Sequence, residues 1–345
     1  MVPGSNAPII ATYLKGALFG LAAVSIWAGW SALTRLAVTT RLDAWDIAAL
    51  RFGIASCLLA PMAARRGLAL AQLGWSGLAL LIAGAGVPYV LLAAAGLQFA
   101  PAHDQGALNP GFMPLFVALI SALGLGKKLA AARQLGLSVI LVGALIIVGS
   151  HAATWNTSRL CGDALFLTAA LLWSGFTVVM QQARIDPLHA AALVSCGSAL
   201  IYLPIYLAFY GTHLAQIPLA DVALQAIFQG LLVTVVSLVL YGRAIALIGA
   251  SGGAAFGALV PALSALIAIP LLGEWPSRSD WVGIGLISSG VYLASGGPIS
   301  LRRGRQLKAT PEPRRRARKV RSERPSIGPG EGESVPNMRE EAMRR

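Results

Sequence analysis

Ten apolar stretches, each close to twenty residues long and separated by short connections, constrain this chain more than anything else in it. They run over residues 16–38, 44–63, 76–98, 105–125, 134–151, 162–183, 189–209, 222–246, 252–272 and 279–296. A helix that crosses the ~30 Å hydrocarbon core of a bilayer needs about 20 mostly apolar residues. The expected fold is therefore all-α and integral to the membrane, with ten transmembrane helices. The last stretch is short and rich in glycine. The first contains Trp27 and Trp30 and is followed by Arg35 instead of a small-residue cleavage site, so it reads as a span and not as a cleaved signal peptide.

Composition argues against the soluble alternatives. Charged residues make up 12% of the chain, hydrophobic ones 56%, and the mean hydropathy is +0.70. Soluble domains carry about 25% charged residues, so this chain lacks the means to cover a water-facing surface. The net charge of +13 does not indicate a nucleic-acid partner, because it is unevenly placed. Residues 302–345 hold 14 of the 27 Lys and Arg and 6 of the 14 Asp and Glu, which puts +8 on the tail and +5 on the rest. The tail is rich in Arg, Pro, Glu, Ser and Gly and cannot bury enough apolar area to offset its ordering entropy, so disorder is expected there. Its run Arg314–Lys319 is able to meet anionic lipid headgroups, although a solvated topology anchor is the favoured reading. The three cysteines, Cys57, Cys161 and Cys196, lie far apart, so neither a disulfide framework nor a zinc site is suggested.

Basic residues concentrate in cytoplasmic loops. With the N-terminus inside, the inner connections collect Lys15, Arg65, Arg66, Lys127, Lys128, Arg133 and Arg184, and the outer ones Arg35, Arg41, Arg159 and Arg278. Both termini are therefore expected in the cytoplasm, with the chain a multi-pass protein of the inner membrane.

The chain also repeats itself. Residues 102–150 and 249–297 align without gaps at an offset of 147, matching Gly106 to Gly253, Pro114 to Pro261, Gly126 to Gly273, Gly136 to Gly283 and Gly143 to Gly290. At an offset of 146, Leu21 meets Leu167, Trp27 meets Trp173 and Gly29 meets Gly175. The expected organisation is a cytoplasmic segment 1–15, a five-helix half over 16–151, a second over 162–297, and the tail 302–345. Five is odd, so the second half enters the membrane the opposite way round. Inverted repeats of this kind are a hallmark of secondary transporters, whose two halves rock around a central site.

Several of these segments resemble a known family. Asp46-Ile-Ala-Ala-Leu-Arg51-Phe52 is similar to the second-helix pattern of the EamA branch of the drug/metabolite transporter superfamily, and Ala107 to Leu119, with Pro114, to its fourth helix. Tyr241-Gly-Arg243 through Gly249-Ala-Ser, then Pro261, then Leu272-Gly273-Glu274, resembles its eighth and ninth. The resemblance covers nearly all of 16–297 and implies a permease for a metabolite or an amino-acid-type solute, often an exporter, without a bound cofactor. The family pattern closes each half's fourth helix with Leu-Gly-Glu. The second half keeps Glu274, whereas the first has Gly126-Lys127-Lys128, an exchange the positive-inside rule explains and which gives Glu274 a structural reading.

Ionisable groups inside spans are costly and so are functional candidates. Arg51, about two turns into the second span, either binds an anionic substrate or pairs with a carboxylate. Arg243, near the inner end of the eighth, reads as a side chain reaching for the interface. His103 and Asp104 suit proton coupling, but a solvated turn in which Asp104 caps the helix from Gln105 is favoured. Asn109 beside Pro110 combines an amide with a freed backbone carbonyl, a setting for a small polar ligand. Trp27, Trp30, Tyr89, Trp173, Tyr202, Gln229 and Tyr241 complete the candidate substrate-binding set, as polar-edged groups at mid-span. Pro114 and Pro261 read as structural. Gly249-Ala-Ser251-Gly-Gly253 matches the spacing of a nucleophile elbow, but that motif needs a strand before it. Its glycines instead suit close helix contact, and glycine-rich faces also permit a homodimer.

The expected function is transport of a small organic molecule such as an amino acid or amine. The alternatives are an intramembrane hydrolase using Ser251 and a receptor or scaffold acting through the basic tail.

Overall fold

The computed structural model describes residues 7–125, 130–211 and 213–295, with side chains at all of these except 7–11, 125, 250, 251 and 254. The basic tail, Lys127, Lys128 and the side chain of Ser251 thus lie outside the described residues, together with what was expected of them.

Among the described residues all regular structure is helical. The elements are α1 (Ala7–Val38), α2 (Ala44–Arg66), α3 (Leu70–Ala85), α4 (Val87–Phe99), α5 (Ala102–Leu125), α6 (Ala131–Ala153), α7 (Thr157–Ala183), α8 (Pro187–Tyr210), a short 3-10 turn (Leu214–Gln216), α9 (Leu219–Gln225), a π-helical stretch (Ala226–Val236), α10 (Ser237–Gly257), α11 (Val260–Leu272) and α12 (Arg278–Ala294). Nine helices among the described residues, counting α3–α4 and α9–α10 as continuous, are long and apolar enough to cross a membrane. The chain is a multi-pass membrane protein. At the position of the tenth expected span stands α12, which at 17 residues is shorter than any of the nine.

The elements depart from the apolar pattern in three places, each with a local cause. The helix expected to start near residue 16 begins at Ala7, since Pro8 is tolerated in a first turn and the residues after it are apolar. The third stretch is broken at Gly86, and Pro88 opens α4 just beyond it. A Cβ at Gly86 would run into the Ile82 carbonyl and the Ser198 hydroxyl, so the break is also a point of close approach. In the eighth stretch the Thr234 hydroxyl bonds the Gln229 carbonyl at 2.8 Å, five residues back, in step with the wider π turn. Such insertions into the helical ladder are frequent at functional sites.

Packing pairs helices that are far apart in the chain. α2 lies against α8 and α6 against α12; α1 packs on α10 and α11, while α7 packs on α3, α4 and α5. The α6–α12 contact is backbone on backbone. A Cβ at Gly136 would sit 2.8 Å from the Gly290 carbonyl, and one at Gly143 would sit 2.8 Å from that of Gly283. Small residues allow this approach, and close packing is what associates helices where lipid removes the hydrophobic drive. The glycines at 249, 253 and 257 behave otherwise. Gly249 takes φ +78° and bends α10, and Gly253 faces Ile245 and Tyr241 of that same helix.

Candidate functional site

Two polar regions stand out, one at an end of the bundle and one in its middle. The end in question gathers the C-terminal ends of α1, α4, α6, α8 and α11 and the N-terminal ends of α2, α5, α7 and α12; we call it the distal end.

At the distal end buried charges are paired with one another. The Arg159 guanidinium donates to both oxygens of Asp104 at 2.7 and 3.0 Å and reaches Asp280 at 3.4 Å. A fork of this kind is the strong form of ion pair. Arg159 also donates to His103 Nε2 at 3.1 Å, which makes that nitrogen an acceptor. His151 Nδ1 lies 2.7 Å from Asp163, and its Nε2 faces an Asp280 oxygen at 3.6 Å. Asp280 also closes a capping box with Ser277, accepting from the Ser277 backbone N–H at 2.9 Å, and so starts α12. Nearby, Arg35 donates to Glu274 at 2.7 Å and to the Leu97 carbonyl, and Glu274 accepts from the Ala102 backbone N–H at 2.8 Å. Glu274 thus ties the end of α1 to the start of α5.

A second distal group surrounds Asp46, which accepts from the Tyr206 hydroxyl at 2.5 Å and contacts His213 Nδ1 at 2.9 Å. Asp43 caps α2 in a box with Asp46. Desolvation, helped by the neighbouring Asp46 charge, pushes the Asp43 carboxyl above its ordinary range. Three sets of these side chains bring ligating atoms within 4.8 Å of each other: His103/Asp104/Asp280, Asp104/His151/Asp163 and Asp43/Asp46/His213. Arg159 already holds the Asp104 oxygens in the first two sets, and Tyr206 and the Asp43 backbone N–H hold those of Asp46 in the third. Arg159 thus supplies the positive charge a cation would bring to the first two sets, while neutral donors occupy the Asp46 oxygens in the third.

The middle of the bundle contains two different kinds of polar group. One kind is locked. Trp30 Nε1 donates to Gln229 Oε1 at 2.7 Å, and Gln229 Nε2 donates to Thr34 at 2.9 Å and to Gln225 at 3.1 Å. Trp27 Nε1 donates to Ser237 at 2.8 Å. Ser31 pairs with Gln105. With Gln225 Nε2 donating to the Leu33 carbonyl at 3.0 Å, these bonds join α1 to α5, α9, the π stretch and α10.

The other kind is unpaired among the described residues. Arg51 is 7% exposed and, among the described residues, has no ion pair and no hydrogen bond; its guanidinium lies 5.8 Å from the ring centre of the adjacent Phe52. Asn109 is fully buried, and neither of its amide atoms has a partner in hydrogen-bonding geometry among the described residues. Tyr89, on α4, neighbours both. Its ring packs at 4.8 Å on Trp173, which stands 5.3 Å from Phe176. A matching contact, 4.9 Å between centroids, joins Trp27 to Tyr241. Cavities of about 250 and 600 Å³ open elsewhere, the first beside Asp43 and Trp45 and the second between α1, α10 and α12; neither is lined by Arg51 or Asn109.

The candidates read from the sequence thus fall into different places. Arg51, Tyr89, Asn109 and Trp173 come together around the Tyr89 ring. Trp27, Trp30 and Gln229 are held in hydrogen bonds, with Tyr241 against Trp27. Tyr202 belongs to the distal end, its hydroxyl donating to the Trp45 carbonyl at 2.9 Å. His103 and Asp104 do not form a solvated turn: α5 already begins at Ala102, and both side chains are buried in the charged web. Arg243 is exposed. Pro114 sits inside an unbroken α5, whereas its counterpart Pro261 lies in the first turn of α11. The sequence does not single out His151, Asp163 and Asp280, and it marks Arg159 only as a topology signal. Each lies near the end of a stretch, where charge needs no special explanation.

The relatives of the chain fit this architecture. The model of the EamA-like transporter family matches twice, over residues 14–149 and 160–296. The uncharacterized transporter YoaV of Bacillus subtilis is 28% identical over 60% of this chain and 71% of its own length. A protein of Streptantibioticus cattleyicolor named "Probable terminal-alkyne amino-acid exporter" is 28% identical over 77% of this chain and 90% of its own length. The riboflavin transporter of Brucella anthropi is 29% identical over 60% of this chain and 72% of its own length. One crystal structure shares the fold with a TM-score of 0.53 at 22% identity, covering 81% of this chain and 96% of that one.

Proposed function

The chain belongs to the EamA-like transporter family, and from that premise we propose that this membrane transporter is an inner-membrane exporter of a small organic metabolite, working by alternating access. Ten helices in two inverted halves, 16–151 and 162–297, are the moving parts. The observation that carries the reading is an exchange of aromatic pairs between those halves. Trp27 of the first faces Tyr241 of the second, and Trp173 of the second faces Tyr89 of the first. The glycine contacts exchange in the same way: the 147-residue offset turns the Gly136–Gly290 contact into Gly283–Gly143, its other member. Reciprocal contacts of this type fit a two-fold axis lying in the membrane plane.

The charged web supports the gating. Arg159 and Glu274 join the ends of α1, α5, α7 and α12, so a passage at the distal end requires these links to part. On the count of basic residues the distal end faces outward, and both termini lie in the cytoplasm. An amino-acid exporter and a riboflavin transporter among the relatives fit an organic solute.

The test uses the purified full chain in liposomes, offered amino acids, nucleobases and amines with and without a pH gradient. At least one class should move. Flux of none across the whole panel would overturn the reading. Metabolite profiling of cells and medium, with and without the protein, then identifies the solute and its direction.

A further inference from the structure

We infer that Arg51 is the anchor for an organic monocarboxylate, so the solute is an acid or amino acid and not a simple amine; this rests on the transporter reading and deepens it. The mark of the site is a missing counter-ion. A guanidinium inside a membrane span is costly and is normally paired. Here the other buried ionic groups show what pairing looks like: Arg159 holds two carboxylates, and Arg35 holds Glu274 and a backbone carbonyl. Arg51 is the more deeply buried, yet it has no carboxylate; Tyr89 is its ionisable neighbour. Its charge is balanced by nothing in the described chain.

The surroundings specify the ligand. Asn109, fully buried beside Tyr89, has neither its amide donor nor its carbonyl acceptor in hydrogen-bonding geometry with a described residue. A protein seldom buries such groups without a partner, so both await a ligand atom. A planar guanidinium matches a carboxylate in a two-bond fork. One positive charge balances one negative charge, which favours a monocarboxylate over a phosphate dianion. The Tyr89, Trp173 and Phe176 rings offer an apolar wall for the rest of the molecule, as small-molecule sites generally do.

The test has an arm that needs no knowledge of the solute. In full-length protein without ligand, Arg51→Met removes an unpaired buried charge, so the thermal midpoint in detergent should rise by about 2 °C or more. A fall would mean that Arg51 is a structural element and would overturn the inference. The second arm offers matched sets sharing one side group, such as phenylalanine, phenylpropionate and phenethylamine, together with aliphatic and heteroaromatic counterparts. Members carrying a carboxylate should raise the midpoint of the wild-type protein and compete for flux, and Arg51→Met should weaken them about tenfold or more. Asn109→Leu should weaken those with a second polar group in particular. Equal action of the amine twins, or no action by any carboxylate while another solute is moved, would also overturn it. Flux of some amine alone would sink the carboxylate and leave the transporter reading standing.

Discussion

The distal end and the middle of this bundle bury charge in opposite ways. At the distal end Arg159, Asp104, Asp280, His103, His151 and Asp163 form one web, and Arg35 with Glu274 another, so that most charges have partners within the chain. In the middle Arg51 has none among the described residues. A buried pair broken by removal of one partner leaves an uncompensated charge. The web therefore holds helix ends together, whereas the middle leaves polar groups without partners among the described residues. Residues that tie helix ends together are thus distinct from the unpaired Arg51 and Asn109.

The largest effect should come from the web. Arg159→Met leaves Asp104, Asp163 and Asp280 buried together without a guanidinium, a loss of about 3 kcal/mol given that Arg159 is itself 21% exposed. Folded yield and thermal midpoint in detergent should both drop sharply. A wild-type midpoint would break the contrast, since it would make the distal pairs ornamental. Arg51→Met, by contrast, should move the midpoint upward, and opposite signs for two arginines of one bundle are the sharpest form of the difference.

Smaller effects test the frame around both regions. Gly143→Val puts a side chain against the Gly283 carbonyl, where even a Cβ would stand 2.8 Å away. Overpacking there should cost about 2 kcal/mol. Gly175→Ala, which meets nothing within 4 Å, should be almost silent. Equal thermal midpoints for the two variants would dismiss the α6–α12 contact as a tight one. Trp30→Phe strands Gln229 Oε1 and should cost about 1 kcal/mol, a distinction between locked and unpaired polar groups that denaturation in detergent can read. Arg243→Gln, on an exposed stretch of α10, should change stability by less than about 0.5 kcal/mol. A loss comparable to that of Arg159→Met would make Arg243 a structural partner in spite of its exposure.

Much of the fold is legible in the order of residues alone. Apolar length is a one-dimensional property, so a helical membrane protein of many spans can be read from it, and the glycine and tryptophan offsets are visible by eye. Element boundaries are less so. The break at Gly86 depends on what Ser198 does from another helix, and the π stretch on one hydroxyl reaching back five residues. The site divides similarly. Arg51 and Asn109 stand out as polar residues in apolar stretches, and both are buried without partners among the described residues. His103 and Asp104 suggest a solvated turn because they fall in the short connection between two apolar stretches. Their actual neighbours are Arg159 and Asp280, which no local pattern brings near.

The sequence by itself determined that this is a membrane protein of many spans, where its basic tail lies, and to which family its two related halves point. These follow from composition, length and periodicity, which survive without knowing any contact. Only the tertiary structure decided which charges are paired. Arg35 finds Glu274 across 239 residues, Trp30 finds Gln229 across 199, and Arg159 finds Asp104 across 55. Whether a buried ion is held or left free depends on atoms a few ångströms away that the chain order separates. That is why an arginine in a span reads the same in sequence whether it is a rivet or a receptor.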